Sequence, residues 1–142
     1  MENDRQTEWA AMMRRINESP IYGHLGMRVE EMGDGYARLR MRVGEHLHQL
    51  YGVVHGGIAA SLADSCIGVA LISLLPPEQL STTAELKVNY LAPVTAGELT
   101  GEGRIVHRGR TLAVGEADVR DQSGRLVAKA LSTYMILGQN AK

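Results

Sequence analysis

The chain has 142 residues, 44% of them hydrophobic and 22% charged, with a formal net charge of −1. That length suits a single domain, residues 1–142, with a core of its own. The near-neutral balance argues against a general binder of nucleic acid or of membrane surfaces, and the lone Cys66 excludes an intrachain disulfide.

The chain opens Met1-Glu2-Asn3-Asp4-Arg5 without a basic-then-apolar leader, so a cytoplasmic location is the expectation. Across residues 4–18, Trp9, Met12, Met13 and Ile16 recur at helical spacing against Arg14, Arg15 and Glu18. This predicts an amphipathic helix that ends at Ser19-Pro20 and caps either the domain, with its core of residues 21–138, or a dimer. From Gly26 the pattern becomes extended. Gly33-Asp34-Gly35 reads as a hairpin turn, and 36–43 alternates strictly, Ala37, Leu39, Met41 and Val43 against Tyr36, Arg38, Arg40 and Arg42. The arginine face is read as the solvated side of an antiparallel strand.

Residues 44–54 form a polar loop. His46, His48 and His55 raise the question of a metal, but their spacing is unspecific and no Cys cluster or second carboxylate supports one, so none is expected. The loop leads into the one long apolar segment, predicted as a helix over 56–75, in which the only charged residue is Asp64. On that helix Ser61, Asp64, Ser65 and Gly68 fall at i, i+3, i+4 and i+7, a narrow polar stripe in an otherwise greasy cylinder. A carboxylate among apolar neighbours costs several kcal/mol unless it is paired or hydrogen-bonded, so its presence asks for a reason. At the helix start, His55-Gly56-Gly57 leaves backbone N–H groups and the positive dipole end uncovered, where developing negative charge is stabilised. Asp64 thus reads as a base and the Gly57 N–H as an oxyanion donor. The interrupting Asp64, serines and glycines argue against a membrane span.

Pro76-Pro77 stops the helix. A strand over 82–91 alternates Ala84, Leu86, Val88 and Tyr90 against Thr83, Glu85, Lys87 and Asn89, and further strands are expected over 97–106, 111–120 and 125–137. The tally is one buried helix among five or six antiparallel strands, an α+β arrangement.

His55-Gly56-Gly57 followed by Ala60-Ser61-Leu62-Ala63-Asp64 resembles the signature of the hotdog-fold acyl-CoA thioesterases of the phenylacetate-pathway (PaaI-like) type. The resemblance runs on through 83–93, Gly97-Glu98-Leu99 and Arg108-Gly109-Arg110-Thr111, covering most of the chain from Ile21. It implies the hotdog fold, a curved antiparallel sheet wrapped around one long helix. It also implies a homodimer with shared active sites, the acid from one subunit and the His-Gly-Gly turn from the other, commonly assembled further into a homotetramer.

The same resemblance assigns roles. Asp64 is a general base on water or a nucleophile through an anhydride, routes that sequence does not separate. Gly57 polarises the thioester carbonyl, and His55 matches the family's histidine, which orients the thioester or its neighbours. Gln49, six residues before His55, matches the Asn or Gln near the nucleophile. Thr83 matches the hydroxyl that positions water, although the strand's alternation puts it on the charged face. Coenzyme A enters only as part of the substrate, and Arg108, Arg110 and Lys87 are the candidates for its phosphates. The competing reading is a non-catalytic module that holds acyl-CoA or a fatty acyl group. The Asp and His arrangement of hotdog hydratases is not found.

Overall fold

The computed structural model describes residues 1–139, and the chain order is helix, helix, hairpin, long helix, four strands. The expected N-terminal helix is α1 (Glu2–Asn17). A second, short helix, α2 (Pro20–Leu25), follows where only a stop was expected: Pro20 sits in its first turn, a position that needs no backbone N–H, and Gly26 closes it with a left-handed φ of 72°. Strands β1 (Met27–Gly33) and β2 (Tyr36–Val43) form the expected hairpin. Its two-residue turn holds Asp34 at φ 48° and Gly35 at φ 79°, the conformation that Asp-Gly supplies at low cost.

The central helix α3 spans Gly56–Ile72, three residues shorter than its apolar run, because Ser73 turns back: its Oγ donates to the Ala70 carbonyl and accepts from the Gly35 N–H. Strands β3 (Gln79–Tyr90), β4 (Gly97–Arg108), β5 (Leu112–Arg120) and β6 (Leu126–Gln139) complete one six-stranded antiparallel sheet in the order β1-β2-β4-β5-β6-β3. The sheet curls around α3, whose Leu62, Ala63, Cys66, Ile67, Ala70 and Leu71 are fully enclosed. This is the hotdog fold.

The helix can lie so close because the sheet beneath it is glycine-lined. A Cβ on Gly103 would stand 2.4 Å from the Cys66 carbonyl oxygen, and one on Gly115 would stand 2.5 Å from the Ile67 side chain. The outward face of the sheet is polar along β2, β4 and β5. Arg40 pairs with Glu30 and Glu98, and Lys129 with Asp118, while the Tyr36 hydroxyl donates to Glu102 at 2.7 Å. Among the described residues no helix is long and apolar enough to cross a membrane.

Candidate active site

Asp64 lies on the third turn of α3, half-buried, and its carboxylate is held from across the sheet. Thr83 Oγ1 donates to Asp64 Oδ1 at 2.9 Å. The Tyr134 hydroxyl lies 2.7 Å from that same Oδ1 and 2.7 Å from the Asp64 backbone carbonyl, sharing its one proton between them. Thr83 on β3 and Tyr134 on β6 are register partners, so one row of the sheet delivers both hydroxyls to one carboxylate oxygen. No described side chain bonds Oδ2. Burial, and then the neighbouring Asp64, push the Tyr134 phenol above its usual range although the Thr83 hydroxyl lowers it, so Tyr134 remains a donor at any working pH.

The alternation of residues 82–91 would put Thr83 outside, and the structure corrects this. A bulge between Thr83 and Glu85 re-phases β3: Ser81 and Thr83 face inward before it, Leu86 and Val88 after it. Tyr134 was not singled out from the sequence, because nothing local marks it. The one trace is Gly68, the last member of the polar stripe, where a Cβ would stand 2.9 Å from the Tyr134 hydroxyl. The glycine is the room the tyrosine occupies. Tyr22 of α2 stands over the same spot, its phenol pushed up chiefly by burial and drawn the other way by the Ser65 hydroxyl. Asp64, Ser65, Gly68, Tyr22 and Tyr134 together line a cavity of about 420 Å³.

The other predicted residues cluster two turns away. His55 is the N-cap of α3, and its Nδ1 accepts the Gly57 N–H at 2.9 Å, so the N–H expected to stand uncovered is engaged within the chain, because the imidazole folds back over the helix start. In the neutral ring the proton therefore sits on Nε2, which is free to donate outward. Gln49 lies in the loop before it, where its Oε1 accepts from the Tyr51 N–H and its backbone N–H donates to the Val53 carbonyl at 2.7 Å. Gln49 and Gly56 line a second cavity of about 380 Å³ with Tyr90 and Leu91. His48 Nε2 is engaged by the Thr95 carbonyl at 2.8 Å, and among the described residues no three His, Cys, Asp or Glu side chains converge to hold a metal.

Gly57 and Asp64 are seven residues apart on α3, so they share a face but stand about 10 Å apart along its axis. One thioester carbonyl cannot touch both within a single chain. The basic candidates are also dispersed. Arg108 lies on the inner side at the end of β4, Arg110 in the exposed connection to β5, and Lys87 on the outer side of β3.

A sheet curled around a helix that carries one hydroxyl-held carboxylate and a capped His-Gly-Gly entry defines a hotdog-fold hydrolase. The family model described as "Thioesterase superfamily" matches residues 51–128, and the chain belongs to that superfamily. It is 30% identical over 128 residues to the proofreading thioesterase EntH of Klebsiella pneumoniae, spanning 90% of this chain and 93% of that one. It is 28% identical to the 1,4-dihydroxy-2-naphthoyl-CoA hydrolase of Escherichia coli, spanning 88% and 92%. The solved structure of a conserved protein from Pseudomonas aeruginosa superposes with a TM-score of 0.80 at 38% identity, covering 84% of this chain and 94% of that one.

Proposed function

We propose that the chain hydrolyses acyl-CoA thioesters, with Asp64 as the group that activates water or attacks the carbonyl itself. The observation that carries the reading is the Asp64 carboxylate, fixed through Oδ1 by two neutral hydroxyls while Oδ2 is left to act. A structural acid would be satisfied on both oxygens or exposed to solvent; this one is held by one oxygen at the wall of a cavity. In the water route Oδ2 takes a proton as the hydroxide attacks the carbonyl carbon; the tetrahedral intermediate then collapses, the C–S bond breaks and the proton passes to the thiolate of coenzyme A. The CoA class of thioester is supported by the E. coli relative, whose name specifies a CoA thioester. No other cofactor is needed.

The reading includes a homodimer with shared sites. The 10 Å between Gly57 and Asp64 closes if a second α3 runs antiparallel alongside the first, so that each Asp64 faces the partner's Gly57. To serve the oxyanion the Gly57 N–H must turn from His55 Nδ1, to which it donates at 2.9 Å, toward the substrate oxygen. Strand β3 is a sheet edge paired only with β6, and beside it Leu50, Tyr51 and Tyr90 are 89%, 83% and 55% exposed, a large apolar rim for a monomer to leave in water. Exposed Leu112, Leu131 and Met135 on the outward sheet face support further pairing of dimers into a tetramer.

The first experiment is thiol release from short, medium, long and aryl acyl-CoAs by wild type and Asp64→Ala. A loss of at least about a hundredfold in the variant is expected for removal of the base. Equal rates would remove Asp64 from the mechanism; no turnover on any substrate would leave acyl binding as the function. Sharing is tested by mixing: Asp64→Asn and Gly57→Pro, each inactive alone, should recover activity when co-expressed, since a hybrid dimer carries one intact site. A single turnover in heavy-oxygen water labels the Asp64 carboxylate only by the anhydride route.

A further inference from the structure

We propose that the groove between α1 and α3 is a channel for a linear aliphatic acyl chain, entered at Asp64 and running toward Pro76-Pro77; this deepens the acyl-CoA reading above and rests on it. Helix α1 spans the groove without filling it. At its C-terminal end Asn17 brackets β1, donating to the Val29 carbonyl at 3.1 Å and accepting the Val29 N–H at 2.8 Å. At its midpoint Trp9 packs on Gly33, where a Cβ would stand 2.7 Å from the indole, and its Nε1–H donates to the Ser73 carbonyl at 3.2 Å. Between these anchors no residue of α1 is fully buried: Met12, Met13 and Ile16 pack against the core only in part, and Met12 and Ile16 border open space.

That space is two cavities in line. The first, about 420 Å³, holds Asp64; the second, about 470 Å³, extends to Leu75, Pro76 and Pro77, and both are lined by Met12, Arg15 and Ile72. Each lies in the size range of small-ligand pockets. From Asp64 to Ile72, the last residue of α3, the helical rise amounts to roughly 12 Å, a length that suits a chain and exceeds one aryl group. Aliphatic and thioether side chains make up most of the second cavity, with Met12 at the junction; Arg5, Glu8, Arg15 and Arg108 also border it, and Tyr22 and Tyr134 border the first. The only aromatic ring of the second cavity, Trp9, has its N–H committed to Ser73 and the Arg5 guanidinium 5.0 Å from its centroid, which leaves it poorly placed to stack a second ring.

Trp9 is the single tryptophan of the chain, so its fluorescence reports on the far half of the channel directly. The probes are butyl, octyl and dodecyl thioethers of coenzyme A, which carry no carbonyl and bind without turnover, with affinity read in parallel by calorimetry. The dodecyl thioether should shift and quench Trp9 while the butyl one does not, with affinity rising up to about fourfold per added methylene. Met12→Phe should flatten that dependence on chain length. Binding with Trp9 unmoved, or with affinity independent of length, overturns the channel and leaves the thioesterase reading standing. Failure of every thioether to bind overturns both.

Discussion

At the scale of single residues, the site depends on which donors hold Asp64. A hydrogen bond to a charged group contributes about 1.5–3 kcal/mol, and Tyr134 and Thr83 each supply one to the same oxygen. Tyr134→Phe keeps the ring that packs beside Gly68 and removes only the hydroxyl, so kcat should fall about tenfold or more with KM little changed. Thr83→Val should act in the same direction. Both work through Asp64, and combining either with Asp64→Asn should add little further loss; an additive result in steady-state kinetics would show that the hydroxyls touch substrate on their own account.

At the scale of elements, the packing of α3 on β4 and the packing of Tyr134 against α3 respond differently to the same kind of change. Gly103→Ala puts a methyl 2.4 Å from a backbone oxygen that cannot swing aside, so helix and sheet must separate. A cost of about 1–3 kcal/mol is expected, read as a lower urea midpoint. Gly68→Ala adds its methyl against the Tyr134 hydroxyl instead, and alanine is the better helix former by up to about 1 kcal/mol. Stability should then change little while turnover falls, because the hydroxyl is displaced from Asp64. Cys66, in the same helix, is enclosed and its thiol is pushed up by burial, so a thiol reagent should label it only on unfolding.

At the scale of the whole molecule, three of the five tyrosines resist ionisation in the fold. Burial and the hydrogen bond to Glu102 push Tyr36 to about 12, and Tyr22 and Tyr134 are raised chiefly by burial. A phenol whose folded value lies above its unfolded value of about 10 stabilises the fold fully below pH 10 and loses that contribution as pH climbs toward 12. Stability should therefore decline across this alkaline window. A phenolate absorbance titration should show a late phase that coincides with loss of the circular dichroism signal; three early, reversible ionisations with the fold intact would contradict the enclosure of these rings.

What the sequence determined by itself was the local chemistry. The long apolar helix with its lone acid, the Asp34-Gly35 hairpin and the His55 turn each follow from neighbours within a few residues, and a resemblance in motif carried them to the hotdog fold. What only the tertiary structure decided was which distant groups meet. Tyr134 reaches Asp64 across 70 positions because β6 and β3 are register neighbours, and no periodicity encodes that pairing. Thr83 faces inward because a bulge inserts a residue, and a two-residue alternation carried through a bulge gives the wrong face. The distance between Gly57 and Asp64 is set by helical rise, and the groove beneath α1 by where Trp9 and Asn17 anchor it; both are distances in space, which a linear pattern of side chains does not contain.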